Sequence, residues 1–170
     1  MKQGAILYTS NTGYTAQYAE LLGQQTGLPV YSLKEAVQNN LTCDGVIYLG
    51  WLMAGVVKGY RTAAKRFPIR AVCGVGMGAT GSQLDEIRTG NRIAPETPVF
   101  TLQGGFDLSK LHGIYRFMMK VMAKTAGKGL AAKQDRTPDE DAMLELLTNG
   151  GNYVTEENLT AVLDWYGKNF

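Results

Sequence analysis

Five short apolar runs, Ala5–Tyr8, Val30–Leu33, Val46–Leu49, Ala71–Val75 and Val99–Leu102, constrain this chain more than any other feature. Each is hydrophobic at consecutive rather than alternate positions, and each is bounded by Gly, Pro or Asp. Strands covered on both faces read in this way. Between them lie stretches of helical character: Thr15–Gln25, a short turn about Lys34–Val37, Tyr60–Arg66 and Ser82–Thr89. Gly27-Leu28-Pro29 stops the first of these, and Ser82 is placed to cap the last. Alternating β and α elements imply a doubly wound α/β sheet with right-handed crossovers. Such a sheet gathers the loops after its first, third and fourth strands along one carboxyl edge. A ligand is expected there.

The three loops differ in chemistry. After the first strand comes Thr9-Ser10-Asn11-Thr12-Gly13-Tyr14-Thr15, rich in hydroxyls and opening directly into a helix. A helix start offers unpaired backbone N–H groups and the positive end of the dipole, so this turn suits a phosphate. No Lys or Arg lies between Lys2 and Lys34, so dipoles and hydroxyls would hold it rather than a cation. The other reading is a plain helix cap at Ser10 or Thr12. After the third strand, Gly50-Trp51-Leu52-Met53-Ala54-Gly55-Val56-Val57 reads as an apolar loop where solvent is expected. A flat apolar ring would account for it. After the fourth, Gly74–Gly81 holds four glycines, which let backbone N–H groups come close to a ligand edge. Gly76, Gly78 and Gly81 also fit G-x-G-x-x-G. A dinucleotide is not expected, because no acid ends the next strand, where Leu102 is followed by Gln103-Gly104.

The pattern Ser10-x-Thr12-Gly13-x-Thr15 after a strand resembles the FMN phosphate loop of flavodoxins, departing from it at Tyr14. The resemblance extends over the three loops in order and most of the first 105 residues. It implies a flavodoxin-like three-layer sandwich around a five-stranded parallel sheet of order 2-1-3-4-5. It also implies FMN as cofactor. Thr9, Ser10, Asn11, Thr12, Gly13, Tyr14 and Thr15 would take its phosphate. Trp51, Leu52, Met53, Ala54 and Gly55 with Gly76, Met77, Gly78 and Ala79 would clamp its ring. No acid stands in the two ring loops, which predicts a flavin potential less negative than that of an acid-ringed flavodoxin.

At 170 residues, 45% of them hydrophobic and 19% charged, the chain is expected to form one domain over 1–170. The run Ala5–Tyr8 is too short for a secretory signal, and no stretch reaches the roughly 20 apolar residues that span a bilayer. Cys43 and Cys73 give neither a disulfide framework nor metal spacing, and no metal site is expected. A cytoplasmic location follows as the expectation. Nucleic acid is not an expected partner. Charge is unevenly spread: residues 108–134 carry six bases and no acid, whereas 135–170 carry eight acids and two bases.

Residues 106–150 form an extra helical segment that a short flavodoxin lacks. Within it Ile114, Phe117, Met118, Val121, Met122 and Thr125 lie on one helical face, with Arg116, Lys120 and Lys124 in a second stripe. Thr137-Pro138-Asp139-Glu140-Asp141 opens a further helix. A final helix spans Thr155–Tyr166, with Leu159, Val162, Leu163 and Tyr166 inward. The run Leu111–Gly127 is similar to a region of the menaquinone-dependent protoporphyrinogen dehydrogenases, flavodoxin-like FMN proteins that work with a membrane quinone. The resemblance implies a flavin-dependent oxidoreductase, with a quinone or a redox partner protein completing the electron transfer. An electron carrier without its own substrate and a protoporphyrinogen dehydrogenase are the alternatives. The apolar face of helix 114–128 is expected to pack on the domain, its lysines solvated or paired with the acidic tail. The competing reading has it cover the flavin edge or touch the inner face of a membrane. His112, the one histidine, is expected in a loop or cap.

Overall fold

The computed structural model describes residues 3–170, Tyr115 by its backbone alone. Along the chain run β1 (Ala5–Thr9), α1 (Tyr14–Thr26), β2 (Val30–Ser32), α2 (Leu33–Gln38), β3 (Val46–Met53), β4 (Val56–Val57), α3 (Tyr60–Ala64) and β5 (Ile69–Gly76). Then come α4 (Leu84–Asn91), β6 (Val99–Gln103), β7 (Gly105–Phe106), α5 (Gly113–Ala132), α6 (Pro138–Asn149), β8 (Gly151–Asn152) and α7 (Thr160–Asn169). Five parallel strands line up as β2-β1-β3-β5-β6, which is the 2-1-3-4-5 order of a flavodoxin-like sheet. The order reverses between β1 and β3. The two-residue β4 adds a sixth, antiparallel strand beside the end of β3, and β7 pairs with β8 in a separate ribbon.

Alternation along each strand divides the core in two. Ala5, Leu7, Val46, Tyr48 and Val72 face α2, α3 and α4, packing on Leu33, Ala36, Tyr60, Ala63 and Ile87. Ile6, Ile47, Leu49, Ala71 and Cys73 face α1 and α7, packing on Tyr18, Ala19, Leu22, Leu159 and Val162. Both faces are thus sealed, which accounts for apolar residues at consecutive positions. Polar groups inside are paired. Tyr48, fully buried, donates from its hydroxyl to the Lys58 carbonyl (2.7 Å). Its one proton being spent, the Tyr48 oxygen accepts from Thr9 Oγ1 at 2.7 Å.

Local rules account for most boundaries. Gly27 closes α1 in the left-handed region (φ 72°), its N–H bonded to the Gly23 carbonyl. Ser32 and Glu35 form a capping box on α2, and Thr137 and Glu140 form another on α6, with Pro138 at the first position. Three expectations need correction. Ser82 does not cap α4: its hydroxyl donates back to the Ala79 carbonyl (2.6 Å), and Gln83, at φ 59°, precedes the helix. The final helix begins at Thr160, after a 3-10 turn at Glu157–Leu159. The third strand does not end at Leu49 but continues to Met53, because β4 turns back to pair with it.

The extra segment leaves and rejoins the sheet at one place. Gly105 pairs with Asn152 and Phe106 with Gly151. Tyr153 donates its N–H to the Gly104 carbonyl (2.8 Å). The Tyr18 hydroxyl, wholly buried, donates to the Gln103 carbonyl and accepts from Asn158 Nδ2 (2.8 Å). Between these ties, α5 and α6 lie against each other, joined by ion pairs Lys133–Glu140 and Arg136–Asp141, each at 2.6 Å. Among the described residues no helix is long and apolar enough to cross a membrane.

Burial pushes the Cys73 thiol up from 9 to about 12 and the Tyr48 phenol up from 10 to about 12. The folded chain keeps both neutral where the unfolded chain ionises them. The stabilisation is whole below pH 9 and drains as pH rises toward 12. Denaturant midpoints should therefore begin to fall near pH 9, and about one unit later in Cys73→Ala, where the tyrosines raised by burial, Tyr48 with Tyr8, Tyr18 and Tyr60, set the next loss. An identical onset in the two proteins would show that the thiol is not held neutral.

Candidate functional site

The loop before α1 is shaped by one glycine and one hydroxyl. Gly13 sits in the left-handed region (φ 97°), which a side chain would strain. Its N–H donates to Ser10 Oγ at 3.1 Å. The first bond inside the helix runs from Gln17 N to the Gly13 carbonyl, so the N–H groups of Tyr14, Thr15 and Ala16 have no acceptor within α1. Thr15 is buried, Thr12 half-buried and Asn11 exposed at this turn.

The segment after the third strand is a β-hairpin, not a loop. Leu52 pairs with Val57 and Met53 with Val56 across a two-residue turn. Ala54 (φ 50°) and Gly55 (φ 75°) both lie in the left-handed region, the pattern of a turn whose twist matches the strands it joins. The tip is held by Asn91 at the end of α4, 3% exposed. Asn91 Oδ1 accepts from the Val57 N–H (2.9 Å), while Nδ2 donates to the carbonyls of Gly55 and Ile87 (2.8 Å each). Trp51, Leu52 and Met53 are half-buried along this wall, with the Lys58 ammonium 5.6 Å from the Trp51 ring centroid.

The glycine-rich loop is fitted to that hairpin. A Cβ at Gly74 would stand 2.9 Å from Leu52 Cδ2, and one at Gly76 would stand 3.0 Å from Leu52 Cδ1. Beyond them the loop is tied to β6: Gly104 N–H donates to the Gly76 carbonyl (2.7 Å), Gln103 N–H to Thr80 Oγ1 (2.9 Å) and Gly81 N–H to the Thr101 carbonyl (3.0 Å).

These loops enclose a cleft of about 720 Å³ at the carboxyl ends of β1, β3, β5 and β6. Phe106 and Leu111 close one side, and Phe117, Met118, Met119, Val121, Met122, Thr125 and Met143 from α5 and α6 form the remaining wall. Here the packing expectation for the basic helix fails. Ile114 and Phe117 are 69% and 68% exposed, and Met118, Val121 and Met122 are exposed too, so this face borders an open cleft rather than the domain core. The half-buried residues of α5 are Met119, Ala123, Gly127 and Leu130, on the side where it meets α6. Helix α5 is held along the side that meets α6 rather than along its apolar face, which leaves that face open to the cleft. His112 stands exposed at the N-cap position of α5 without a capping bond.

Among the described residues lining the cleft, Asp107 alone carries a charge. Bonds from Ser109 Oγ (2.6 Å) and Ser109 N–H (2.9 Å) hold its carboxyl below the usual carboxylate range. The Lys110 ammonium lies nearby, 4.9 Å from the Tyr14 ring centroid.

Of the residues singled out from the sequence, Asn11, Thr12, Tyr14, Thr15, Trp51, Leu52, Met53, Ala54, Gly55, Gly76, Met77 and Gly78 line this one cleft. Thr9, Ser10, Gly13 and Ala79 are not part of its lining. Thr9 is engaged with Tyr48, Ser10 and Gly13 with each other, and the Ala79 carbonyl with Ser82. Residues that the sequence did not bring forward are Asn91, Asp107, Gly104, Gly105 and Met143. Gly104-Gly105 after the fifth strand carried a readable signal: a Cβ at Gly105 would fall 2.6 Å from Tyr14 Cε1, so the buried Tyr14 demands glycine there. Asn91 carried none, because one asparagine at a helix end is indistinguishable from a cap.

Asn91→Ala removes three hydrogen bonds around the hairpin tip and should cost about 1–3 kcal/mol of stability. Amide exchange at Val57 should accelerate relative to Leu49 in the same sheet. An unchanged Val57 exchange rate would remove Asn91 as the anchor of this wall.

No family model matches the chain, and no curated protein matches it. Among solved structures, a putative flavoprotein from Bacteroides eggerthii DSM 20697 is similar over 60% of this chain and 89% of its own, at 15% identity and a TM-score of 0.44. A superposition that loose carries no argument about this cleft, whose reading rests on its own residues.

Proposed function

We propose that the cleft binds a flavin, specifically FMN, and that the chain is a flavin-dependent oxidoreductase. One observation carries the reading. A hydroxyl- and amide-rich helix start and an apolar, glycine-bounded slot line a single cleft, where the sheet order reverses between β1 and β3. Ligands of open α/β sheets bind at that crevice. The donor set fits the cofactor at both ends. Thr12, Thr15 and the first-turn N–H groups of α1 would hold the phosphate without a cation. The hairpin Trp51–Gly55 and the loop residues Gly76, Met77 and Gly78 would hold the ring and keep water from it. Bound FMN supplies one- or two-electron transfer. Ser10 and Gly13 fix the loop's shape, and Asn91 fixes the hairpin.

A quinone or redox protein as electron partner belongs to the same proposal. So does peripheral contact with a membrane through helix 114–128, supported by the exposure of Ile114 and Phe117 beside Arg116, Lys120 and Lys124. The carrier reading is weaker, because α5 and α6 build a cleft wall that a carrier without its own substrate has no use for. A protoporphyrinogen substrate rests on the α5 sequence alone.

The test is titration of the purified protein with FMN, followed by absorbance. Thr12→Val with Thr15→Val should weaken binding by about 1.5–3 kcal/mol for each lost bond to the charged phosphate. Equal affinity in that double variant would mean the phosphate lies elsewhere. A second measurement concerns potential. With no carboxylate in either ring loop, and Asp107 the one charged group among the described lining residues, the bound flavin should be easier to reduce than in an acid-ringed flavodoxin. A redox titration as negative as theirs would contradict this.

A further inference from the structure

The chain has seven methionines. Met1 lies outside the described residues, and every other one, Met53, Met77, Met118, Met119, Met122 and Met143, lines the same cleft. They come from four separate parts of the chain: the end of β3, the glycine loop, α5 and α6. Four of them form a wall facing the two loops, and nothing in the fold fills the space before it. Met118 and Met122 are 45% and 46% exposed, although a thioether is an apolar group that cores normally absorb. At 3.6 residues per turn, Met118, Met119 and Met122 span roughly 100° of α5, with Met119 at the edge that meets α6. The basic stripe occupies the other flank, beside Phe117 and Val121. No cation lines the cleft, and its one acid, Asp107, is held by Ser109.

From this we infer that the wall of Met118, Met119, Met122 and Met143 is a second binding site, for an uncharged flat aromatic molecule. It rests on the flavin reading in that the ring of FMN occupies the opposite wall, at Met53 and Met77. The chemistry of the wall selects the class. Sulfur makes favourable contacts with aromatic rings, and the flexible thioether side chain adjusts to rings of different outline. A wall of leucines would offer equal apolar area and neither property. The absence of cations on the lining removes any preference for acidic ligands. The site therefore admits a family of neutral aromatics rather than one shape.

Because each of the six methionines reports on this cleft, the two sites can be read separately by NMR of protein labelled at the methionine methyl carbons. FMN should shift Met53 and Met77. Added 2-naphthol, a neutral flat aromatic, should shift Met118, Met119, Met122 and Met143 by its ring current, with FMN remaining bound. The aliphatic 1-adamantanol, similarly apolar, should bind about tenfold more weakly, as expected from several sulfur–ring contacts. The triple variant Met118→Leu, Met122→Leu, Met143→Leu keeps the volume of the wall. It should lose about tenfold in 2-naphthol affinity. Its affinity for 1-adamantanol and for FMN should not change. Equal binding of the two probes, full 2-naphthol affinity in the triple variant, or displacement of FMN mole for mole by 2-naphthol would each overturn the proposal. Shifts at the α5 and α6 methyls by 2-naphthol together with no FMN response anywhere would uphold this site and refute the flavin reading instead.

Discussion

A parallel sheet has no tolerance for an uncovered face, and much of this molecule follows from that. Every strand of β2-β1-β3-β5-β6 must be reached by a crossover that lays a helix on one side or the other. Reversal of the winding direction between β1 and β3 sends α1 to one face and α3 to the other. The carboxyl ends of those neighbouring strands are left without a helix across them. The cleft is thus the unavoidable gap in the covering, and the residues at its floor are the ones on which strands end. Burial on both faces also explains the chemistry of the interior. The Cys73 thiol is held neutral, and Tyr48 is admitted only because Thr9 and Lys58 satisfy its hydroxyl.

Around that gap, shape is set by glycine meeting a large side chain. Gly74 and Gly76 make room for Leu52, which lets the β3–β4 hairpin lean on the neighbouring strand. Gly105 makes room for the Tyr14 ring, so the hinge of the extra segment touches the start of α1. Polar ties then lock each arrangement. Asn91 saturates the backbone of the hairpin turn, and Tyr18 joins Gln103 to Asn158 beneath the ribbon of β7 and β8. The Val57–Asn91 bond is buried and the others are partly so, where a missing partner costs most. The cleft is therefore firm along the hairpin, the glycine loop and α1, whereas its fourth wall is carried on two helices attached at one ribbon.

That fourth wall leaves an energetic debt on the surface. Phe117, Ile114, Val121 and three methionines project where water can reach them, at roughly 25 cal/mol per Å² of apolar area left unburied. Contiguous exposure of this kind marks an interaction surface. Phe117 and Val121 line the cleft together with Met118, Met119 and Met122, while Ile114, one turn earlier, lies outside the lining and is exposed.

The sequence by itself determined the parallel strands and their order, the hydroxyl-rich helix start and the opening of α6 at Thr137-Pro138. Each of these depends on residues within a few positions of one another. Burial on both faces, capping and turn conformation act locally and leave a local trace. The tertiary structure decided what became of Trp51–Val57 and of α5. The run Trp51–Met53 is strand rather than loop because Trp51 pairs with Val75 on β5 and Leu52 and Met53 pair with β4, whose Val57 is held in turn by the distant Asn91. The periodicity of α5 declared an apolar face without saying what would meet it. Whether such a face packs depends on distances between elements, fixed here by the ribbon at Gly105 and Gly151 and by Tyr18. Only folding brought six methionines, scattered from position 53 to 143, around one space, since side-chain convergence is a property of the assembled layers and not of any window of chain.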